Sequence, residues 1–305
     1  MDSIEKNKVL YITSGEGYVF DGPAAEGYNI IHPHYRTNSL ILRLLRELCF
    51  RIPLLPKKVW YDKTILQYNP GYIIITDALT TRNYLIWIKK IFPKSQINFV
   101  YSNLIGNARH IMPWMIPSGV RIWTFDENDG EKYKIRVYKN SPYPQCYVKP
   151  HGETLYDIFY IGADKGRGDY IMSLEKKLKE LGLKTKFIIT SDGKYSRRKP
   201  YYQERISYDQ LTTYLSQSRA VLNVALDGQY GITMRDKEAL FFNVKLITTN
   251  VHIKDKDLYT INNVFILNDG NYKEIPAFLE RPLDDLELIK EKYTYSSFIV
   301  EILSQ

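Results

Sequence analysis

The sequence predicts an α/β protein built from two doubly wound parallel-sheet domains that face a cleft. Two observations lead to this fold class: short strand-like apolar runs alternate with helical patterns along the chain, and the pattern restarts at Asp157 after a proline-containing loop. Strands separated by helices form βαβ units, whose strands pair in parallel. The length of 305 residues fits two such domains of about 150 residues each.

In the first half, four short β-rich runs predict strands, and one amphipathic segment predicts a helix that stops at Pro93. The strands are expected at 8–13, 72–76, 97–102 and 120–125, and the helix at 81–92. In open α/β sheets, ligands bind to the loops at the carboxyl ends of the strands. We therefore expect the functional residues in the loops that follow these strands.

The second half repeats this alternation. Its strands are expected at 157–162, 186–190, 220–226 and 245–249. One helix precedes Gly182, and another, 208–218, begins at a capping box formed by Ser207 and Gln210. We therefore predict domains at 1–150 and 151–283, with a C-terminal helix at 284–305.

Composition and charge indicate a globular protein of the cytoplasm that binds an acidic partner. The chain has 44% hydrophobic and 25% charged residues, as soluble globular proteins do, and its two cysteines form no disulfide framework. No signal-peptide-like segment and no run of about 18 apolar residues is present, so a cytoplasmic location is expected. The net charge of +8 predicts an acidic partner. Nucleic acid is not expected, because the 26 tyrosines are scattered without an aromatic-plus-basic motif.

A basic turn follows the first strand of the second half. The stretch "YIGADKGRGDYI" (160–171) places Lys165, Gly166 and Arg167 between a strand and a helix. Backbone amides at a helix start, together with two cations, can bind a diphosphate. The alternative is an ordinary turn with solvated cations. A second basic loop, 189–205, could close over a phosphate or be plain solvated surface.

A glycine-containing turn and a short helix lie in "DGQYGITMRDKEALFFNVKLITTN" (227–250). Gly231 allows close approach of a ligand, and the amides from there to Met234 would face an anion together with the Thr233 hydroxyl and Arg235. Glu238 could accept two hydrogen bonds from a ribose diol. The alternative is an ion pair between Arg235 and Glu238, three residues apart.

The order of these parts over about 157–250 resembles the donor-binding domain of GT-B-fold glycosyltransferases. It is similar in particular to glycosyltransferase family 4-like bacterial enzymes of capsular polysaccharide, exopolysaccharide and O-antigen (lipopolysaccharide) biosynthesis. The GT-B fold consists of two Rossmann-like domains. The resemblance implies that the helix at 284–305 crosses back to the first domain; simple packing of this helix is the alternative. One feature departs from the family pattern: Tyr230 stands where retaining members keep a second acidic residue, eight positions before Glu238. The stereochemical outcome therefore stays open.

The resemblance implies roles for the residues already named. Glu238 would hold the donor ribose. The donor diphosphate would be contacted by Lys165, Arg167, Gly231, Ile232, Thr233 and Arg235. The implied activity is transfer of a sugar from a nucleotide-sugar, most simply a UDP-sugar, to a glycan or lipid-linked glycan acceptor. No metal or other cofactor is expected if cations stabilise the leaving diphosphate. A nucleotide-sugar epimerase and a non-catalytic, transferase-like partner protein are the alternatives.

An inverting enzyme also needs a general base for the acceptor hydroxyl, offered from the N-terminal domain. Glu16 and Asp77 are the candidates, because each follows a predicted strand; His32 and His34 come next.

The stretch 38–60 mixes leucines with arginines and lysines and resembles a basic amphipathic segment. It could lie on the anionic cytoplasmic face of the inner membrane, where a lipid-linked acceptor is presented. A core-packing helix with solvated arginines is the alternative.

Overall fold

The computed structural model describes residues 4–13, 17–52, 55–77, 80–105, 111–193, 199–226, 228 and 231–304. The chain forms two compact units, one of Met1–Pro144 with Tyr295–Gln305 and one of Gln145–Thr294. Each unit contains a parallel sheet flanked by helices. The predicted α/β class with two doubly wound sheets is confirmed.

The sheet of the first unit is parallel throughout and has the order β2-β1-β3-β4-β5-β6. Its strands are β1 (Val9–Ile12), β2 (Asn29–Ile31), β3 (Tyr72–Thr76), β4 (Gln96–Val100), β5 (Val120–Thr124) and β6 (Arg136–Val137). The strand order reverses between β1 and β3. The edge strands β2 and β6 were not predicted, because two or three residues carry too little alternation to be recognised.

Helices of the first unit are α1 (Tyr18–Ala25), α2 (Leu40–Arg51), α3 (Arg82–Ile91) and α4 (Glu127–Tyr133). Alternate residues of β1 enter different layers: Leu10 packs with α3, whereas Val9 packs in the opposite layer. The carboxylate of Asp126 caps α4 by accepting a hydrogen bond from the Asp129 amide.

The sheet of the second unit has the order β11-β10-β9-β7-β8, again with parallel pairs. Its strands are β7 (Tyr156–Ala163), β8 (Thr185–Thr190), β9 (Ser218–Asn223), β10 (Lys245–Thr248) and β11 (Val264–Ile266). Here the order reverses between β7 and β9, which are neighbours.

Helices of the second unit are α5 (Gly168–Glu180), α6 (Tyr208–Ser216), α7 (Met234–Phe241), α8 (Ile275–Leu279) and α9 (Glu287–Lys290). The predicted capping box of Ser207 and Gln210 is present at the start of α6. Gly182, with a φ of 81°, follows the end of α5 as predicted.

The last helix, α10 (Tyr295–Ser304), belongs to the first unit, whereas residues 284–294 belong to the second. One face of α10 is buried against the layer that contains Val9 and Trp123; its buried residues are Tyr295, Phe298, Ile299 and Ile302.

Candidate functional site

The carboxyl ends of β7 and β9 lie side by side in the second unit at the point where the strand order reverses. In open α/β sheets, ligands bind in the crevice at this point. The basic turn follows β7, and the approach to α7 follows β9. The topology therefore brings together two stretches that the sequence singled out separately.

Arg167 connects the two strand ends. Its guanidinium donates to the Ala163 carbonyl at 3.2 Å and to the Val224 carbonyl. A further, longer contact joins Nε to the Asp164 carbonyl at 3.5 Å. A guanidinium has more N–H donors than these contacts use, so Arg167 can also bind an anion.

Lys165 and Gly166 form the apex of the basic turn with left-handed backbones, at φ values of 46° and 81°. The Lys165 amide donates to the Asp192 carboxylate at 2.6 Å, which fixes the turn to the loop after β8. The Lys165 side chain is exposed. It is therefore a cation that can reach a ligand from solvent.

Asp164 is a buried carboxylate beneath this turn. It accepts hydrogen bonds from the Gly168 amide at 2.8 Å and from the Tyr202 hydroxyl at 2.6 Å, and it lies 3.3 Å from the Lys199 ammonium. Burial acts to raise the pKa of Asp164, but these donors outweigh it and hold the pKa well below its usual range. Asp164 was not predicted as a site residue, because its side-chain partners Lys199 and Tyr202 lie more than 30 positions further along the chain.

Gly168 packs directly on the same cluster. A Cβ at this position would lie 2.5 Å from the Tyr201 hydroxyl and 2.7 Å from the Asp164 carboxylate. The first residue of α5 is therefore a glycine for steric reasons.

Thr233 caps α7 through a box with Asp236. The Thr233 amide donates to the Asp236 carboxylate at 2.7 Å, and the Asp236 amide donates to the Thr233 hydroxyl at 3.4 Å. Asn223, at the end of β9, donates to both side chains. Both polar groups of Thr233 are thus engaged within the cap, and their role at a diphosphate stays a prediction. This box was not predicted, although the spacing Thr-x-x-Asp is a sequence signal that could have indicated it.

The Arg235–Glu238 ion pair, considered from the sequence as an alternative, is present. Arg235 also donates to the Ile161 carbonyl of β7 at 3.2 Å, and the Tyr208 hydroxyl donates to Glu238 at 3.3 Å. Glu238 is only 1% exposed. Burial raises its pKa, and Arg235 and Tyr208 oppose that shift. The carboxylate retains lone pairs beyond these two contacts.

Gly231 and Ile232 are half-buried and immediately precede α7. The first i to i−4 bond of the helix runs from the Lys237 amide to the Thr233 carbonyl. The amides of Met234 and Arg235 come before it, so the helix itself offers them no acceptor. Together with the helix dipole, these amides suit an anion.

In the first unit, Asp77 follows β3 and is fully buried. Its carboxylate accepts a hydrogen bond from the Ser102 amide at 3.1 Å. Glu16, the other candidate base, lies outside the described residues.

Both histidine candidates follow β2. His32 Nδ1 is 2.8 Å from the His34 carbonyl oxygen. Burial, with smaller effects of His32 and Arg46, lowers the pKa of His34 to about 4, so its imidazole is neutral at neutral pH.

Within the described ranges, no three His, Cys, Asp or Glu side chains converge as the ligands of a metal ion would. The absence of a metal from the reaction stays a prediction.

Neither a protein-family model nor a curated protein sequence matches the chain. Among solved structures, the chain is similar to a "putative UDP-N-acetylglucosamine 2-epimerase" from Listeria monocytogenes. The TM-score is 0.52 and the identity 9%, over 96% of this chain and 94% of that one.

Two further structures are similar at lower TM-scores. The DNA-modifying enzyme β-glucosyltransferase, solved with and without its substrate uridine diphosphoglucose, has a TM-score of 0.49 and 13% identity, over 97% of this chain and 94% of that one. The UDP-GlcNAc 2-epimerase of Methanocaldococcus jannaschii, in complex with UDP-GlcNAc and UDP, has a TM-score of 0.44 and 14% identity, over 97% and 98%.

The Listeria likeness is one of fold, given the low identity. It agrees with the two doubly wound parallel sheets of this chain. Together they assign the chain to the GT-B fold.

Proposed function

We propose that the chain is a glycosyltransferase that transfers a sugar from a UDP-sugar to a glycan or lipid-linked glycan acceptor of a surface polysaccharide. The observation that supports the donor side is a pair of contacts at the strand reversal of the second sheet: Arg167 donates to the Val224 carbonyl, and the preceding residue, Asn223, donates to the Thr233 hydroxyl at the amino end of α7. The acceptor class rests on the resemblance of 157–250 to capsular polysaccharide, exopolysaccharide and O-antigen enzymes.

The proposed role of the basic turn and of the amino end of α7 is to stabilise the negative charge that develops on the leaving diphosphate. Sugar transfer passes through an oxocarbenium-like state while negative charge grows on the departing phosphate. Lys165, Arg167 and the first amides of α7 would stabilise that charge, which makes a metal unnecessary. The proposed diphosphate contacts are Lys165, Arg167, Gly231, Ile232, Thr233 and Arg235.

Glu238 is proposed to accept hydrogen bonds from the ribose hydroxyls. Because its side chain is buried between Arg235 and Tyr208, a ribose must reach it by shifting one of these two neighbours. The Arg235 guanidinium could then move from the carboxylate to the diphosphate. For the acceptor hydroxyl, Glu16 and Asp77 remain the proposed general bases.

Donor binding can be tested by a thermal-shift screen with UDP, GDP, CMP and dTDP. A ligand that binds only the native state adds about 2.7 kcal/mol at 100 times its Kd, so UDP is expected to raise the melting temperature. Lys165→Ala should weaken UDP binding about tenfold or more, because a hydrogen bond to a charged group contributes about 1.5–3 kcal/mol. Lys254→Ala, which removes another exposed lysine of the same unit, is the control.

Two results would contradict the donor site. Either no nucleotide shifts the melting temperature, or Lys165→Ala binds UDP as tightly as Lys254→Ala does.

A nucleotide-sugar epimerase is the second candidate, because the Listeria protein described above shares the fold. Incubation with UDP-GlcNAc in the absence of an acceptor separates the two activities. An epimerase changes the configuration of the sugar and keeps it on the nucleotide, whereas a transferase releases UDP when an acceptor is added. A non-catalytic partner protein would bind UDP and do neither.

A further inference from the structure

Helix α2 and the residue after it, Ile52, turn a row of aliphatic side chains to solvent. Ile41 is 70% exposed, Leu40 67% and Leu44 61%. We call the outer face of α2 the set of Leu40, Ile41, Leu44, Leu45, Leu48 and Ile52, all of which are exposed. Residues at intervals of four form one ridge along a helix, so 40, 44, 48 and 52 line up and Ile41 and Leu45 lie beside them.

The inward contacts of α2 fix this orientation. The Phe50 ring packs on the core with its centroid 4.7 Å from that of His34. Arg46 donates to the Tyr35 carbonyl at 3.1 Å. At 100° per residue, Arg46 and Phe50 project to the side opposite Leu44 and Leu48. The helix therefore turns Arg46 and Phe50 toward the unit and its leucines outward, which excludes the core-packing alternative for these leucines.

The outer face is too large to be an ordinary scatter of surface leucines, because it is contiguous along three turns of helix. Its composition points away from a protein partner. Interfaces between proteins rely on Trp, Tyr and Arg anchors, and leucine is under-represented among them. The outer face contains only leucine and isoleucine.

The charges around the outer face are mainly basic. Arg43 on α2 is exposed, and Arg36 and Lys58 on the flanking segments are exposed as well; the exposed carboxylate of α2 is Glu47. The three cations outnumber this carboxylate. A second copy packed symmetrically on the same face would bring these cations toward their own counterparts. An anionic surface would instead complement them, and the chain as a whole carries a charge of +8.

We propose that the outer face of α2 docks on an anionic lipid bilayer. The 12 residues of α2 span about 18 Å, less than the roughly 30 Å of a bilayer's hydrocarbon region. None of the helices formed by the described residues has the length and apolar content needed to cross a membrane. The helix therefore lies along the interface, with its leucines among the acyl chains and its cations at the head groups. This proposal goes beyond the proposed transfer reaction and does not depend on the nucleotide site.

Vesicle co-sedimentation tests the docking directly. The chain of 305 residues should bind vesicles of phosphatidylcholine with about 30% phosphatidylglycerol at low salt, and bind them less as salt rises. Leu44→Glu combined with Leu48→Glu should reduce binding at least about tenfold, because it places two carboxylates on the inserted face. Ile261→Glu, at a position 66% exposed in the second unit, is the matched control and should bind like the parent chain.

A charge variant supports the same conclusion without touching the leucines. Arg43→Glu should weaken binding to the anionic vesicles, and thermal unfolding reports whether each variant is folded. The proposal is overturned if the parent chain does not bind anionic vesicles, or if the double variant and Arg43→Glu bind as the control does. It is also overturned if the parent chain is a dimer that the double variant dissociates, since the occupant is then a second copy. A UDP thermal shift on the same variants shows separately whether the nucleotide site is intact.

Discussion

Asp164 is charged although it is buried, because a backbone amide, two tyrosine hydroxyls and the Lys199 ammonium surround its two oxygens. Removal of a partner from such a carboxylate leaves polar groups unsatisfied, which costs more than the bonds contribute on balance. Asp164 thus holds the basic turn, the start of α5 and residues 199–202 in one arrangement. Lys165 and Arg167 depend on that arrangement for their positions.

The stability contributed by Asp164 should depend on pH. Since its pKa in the folded chain is lowered, its contribution is complete above the unfolded-state value of about 4 and is lost as the pH falls below that value. Asp164→Asn should therefore cost about 1–3 kcal/mol at pH 7, and less at pH 3. Urea unfolding at the two pH values measures this difference.

Asp269→Asn is the control for that measurement, because Asp269 is exposed on the surface of the same unit. An equal cost of Asp164→Asn at pH 7 and pH 3 would show that the charge of Asp164 does not stabilise the turn.

Among the elements, α10 begins on a carboxylate from elsewhere in the first unit. Glu26 follows α1 and accepts hydrogen bonds from the Tyr295 and Ser296 amides and from the Ser296 hydroxyl, each at 2.8 Å. A carboxylate at this place satisfies first-turn amides and interacts favourably with the helix dipole. Glu26, distant in sequence, therefore caps α10 in place of a residue next to the helix.

Glu26→Ala should lower the free energy of unfolding by about 1–2 kcal/mol, the usual cost of losing a helix cap. Glu131→Ala, at an exposed position of α4, should change it by less than about 0.5 kcal/mol. Chemical denaturation of the two variants in parallel gives the comparison. Equal values for both would mean that Glu26 does not stabilise α10.

The main strands and helices could be predicted from sequence because each has its own signal. The strands β1, β3, β7 and β8 are apolar runs bounded by polar turns, and α6 has its capping box. The edge strands have no such signal, because β6 is two residues long and exists only through its pairing with β5. The capping role of Glu26 could not be predicted from the sequence either, because its partners Tyr295 and Ser296 are about 270 positions away.

At the scale of the whole molecule, the core of the first unit is complete only when the last helix, α10, packs against it. Phe298 is 1% exposed and packs with Tyr138 at a ring centroid distance of 5.1 Å. Phe298→Ala should cost about 3–5 kcal/mol, because it removes a fully buried aromatic side chain and leaves a cavity. The unfolding transition of the first unit should then move to lower denaturant concentration.

Val300 offers a control on the same helix, since it is 42% exposed. Val300→Ala should change the transition by less than about 0.5 kcal/mol. A similar loss for both variants would mean that α10 contributes helix propensity and no core.

At the candidate site, the sequence identified the residue types but not their partners. Arg167 and Arg235 were expected to face a ligand, and the structure shows each of them also bound to a carbonyl near the sheet's carboxyl edge. Thr233 was expected to do the same, and its amide and hydroxyl are held by Asp236. Such pairings depend on which strands are neighbours, and the order β9-β7-β8 is a tertiary fact that no local pattern encodes.

The return of the chain at Tyr295 affects the order in which the protein can fold during its synthesis. Domains usually fold as units while the chain emerges, the N-terminal one first. Here the second unit is continuous, Gln145–Thr294, and has all of its residues before the first unit receives Tyr295–Gln305. Of these two units, the one that begins to leave the ribosome first is therefore completed second. Until then Val9, Tyr11 and Trp123 lack the side chains of α10 that cover them.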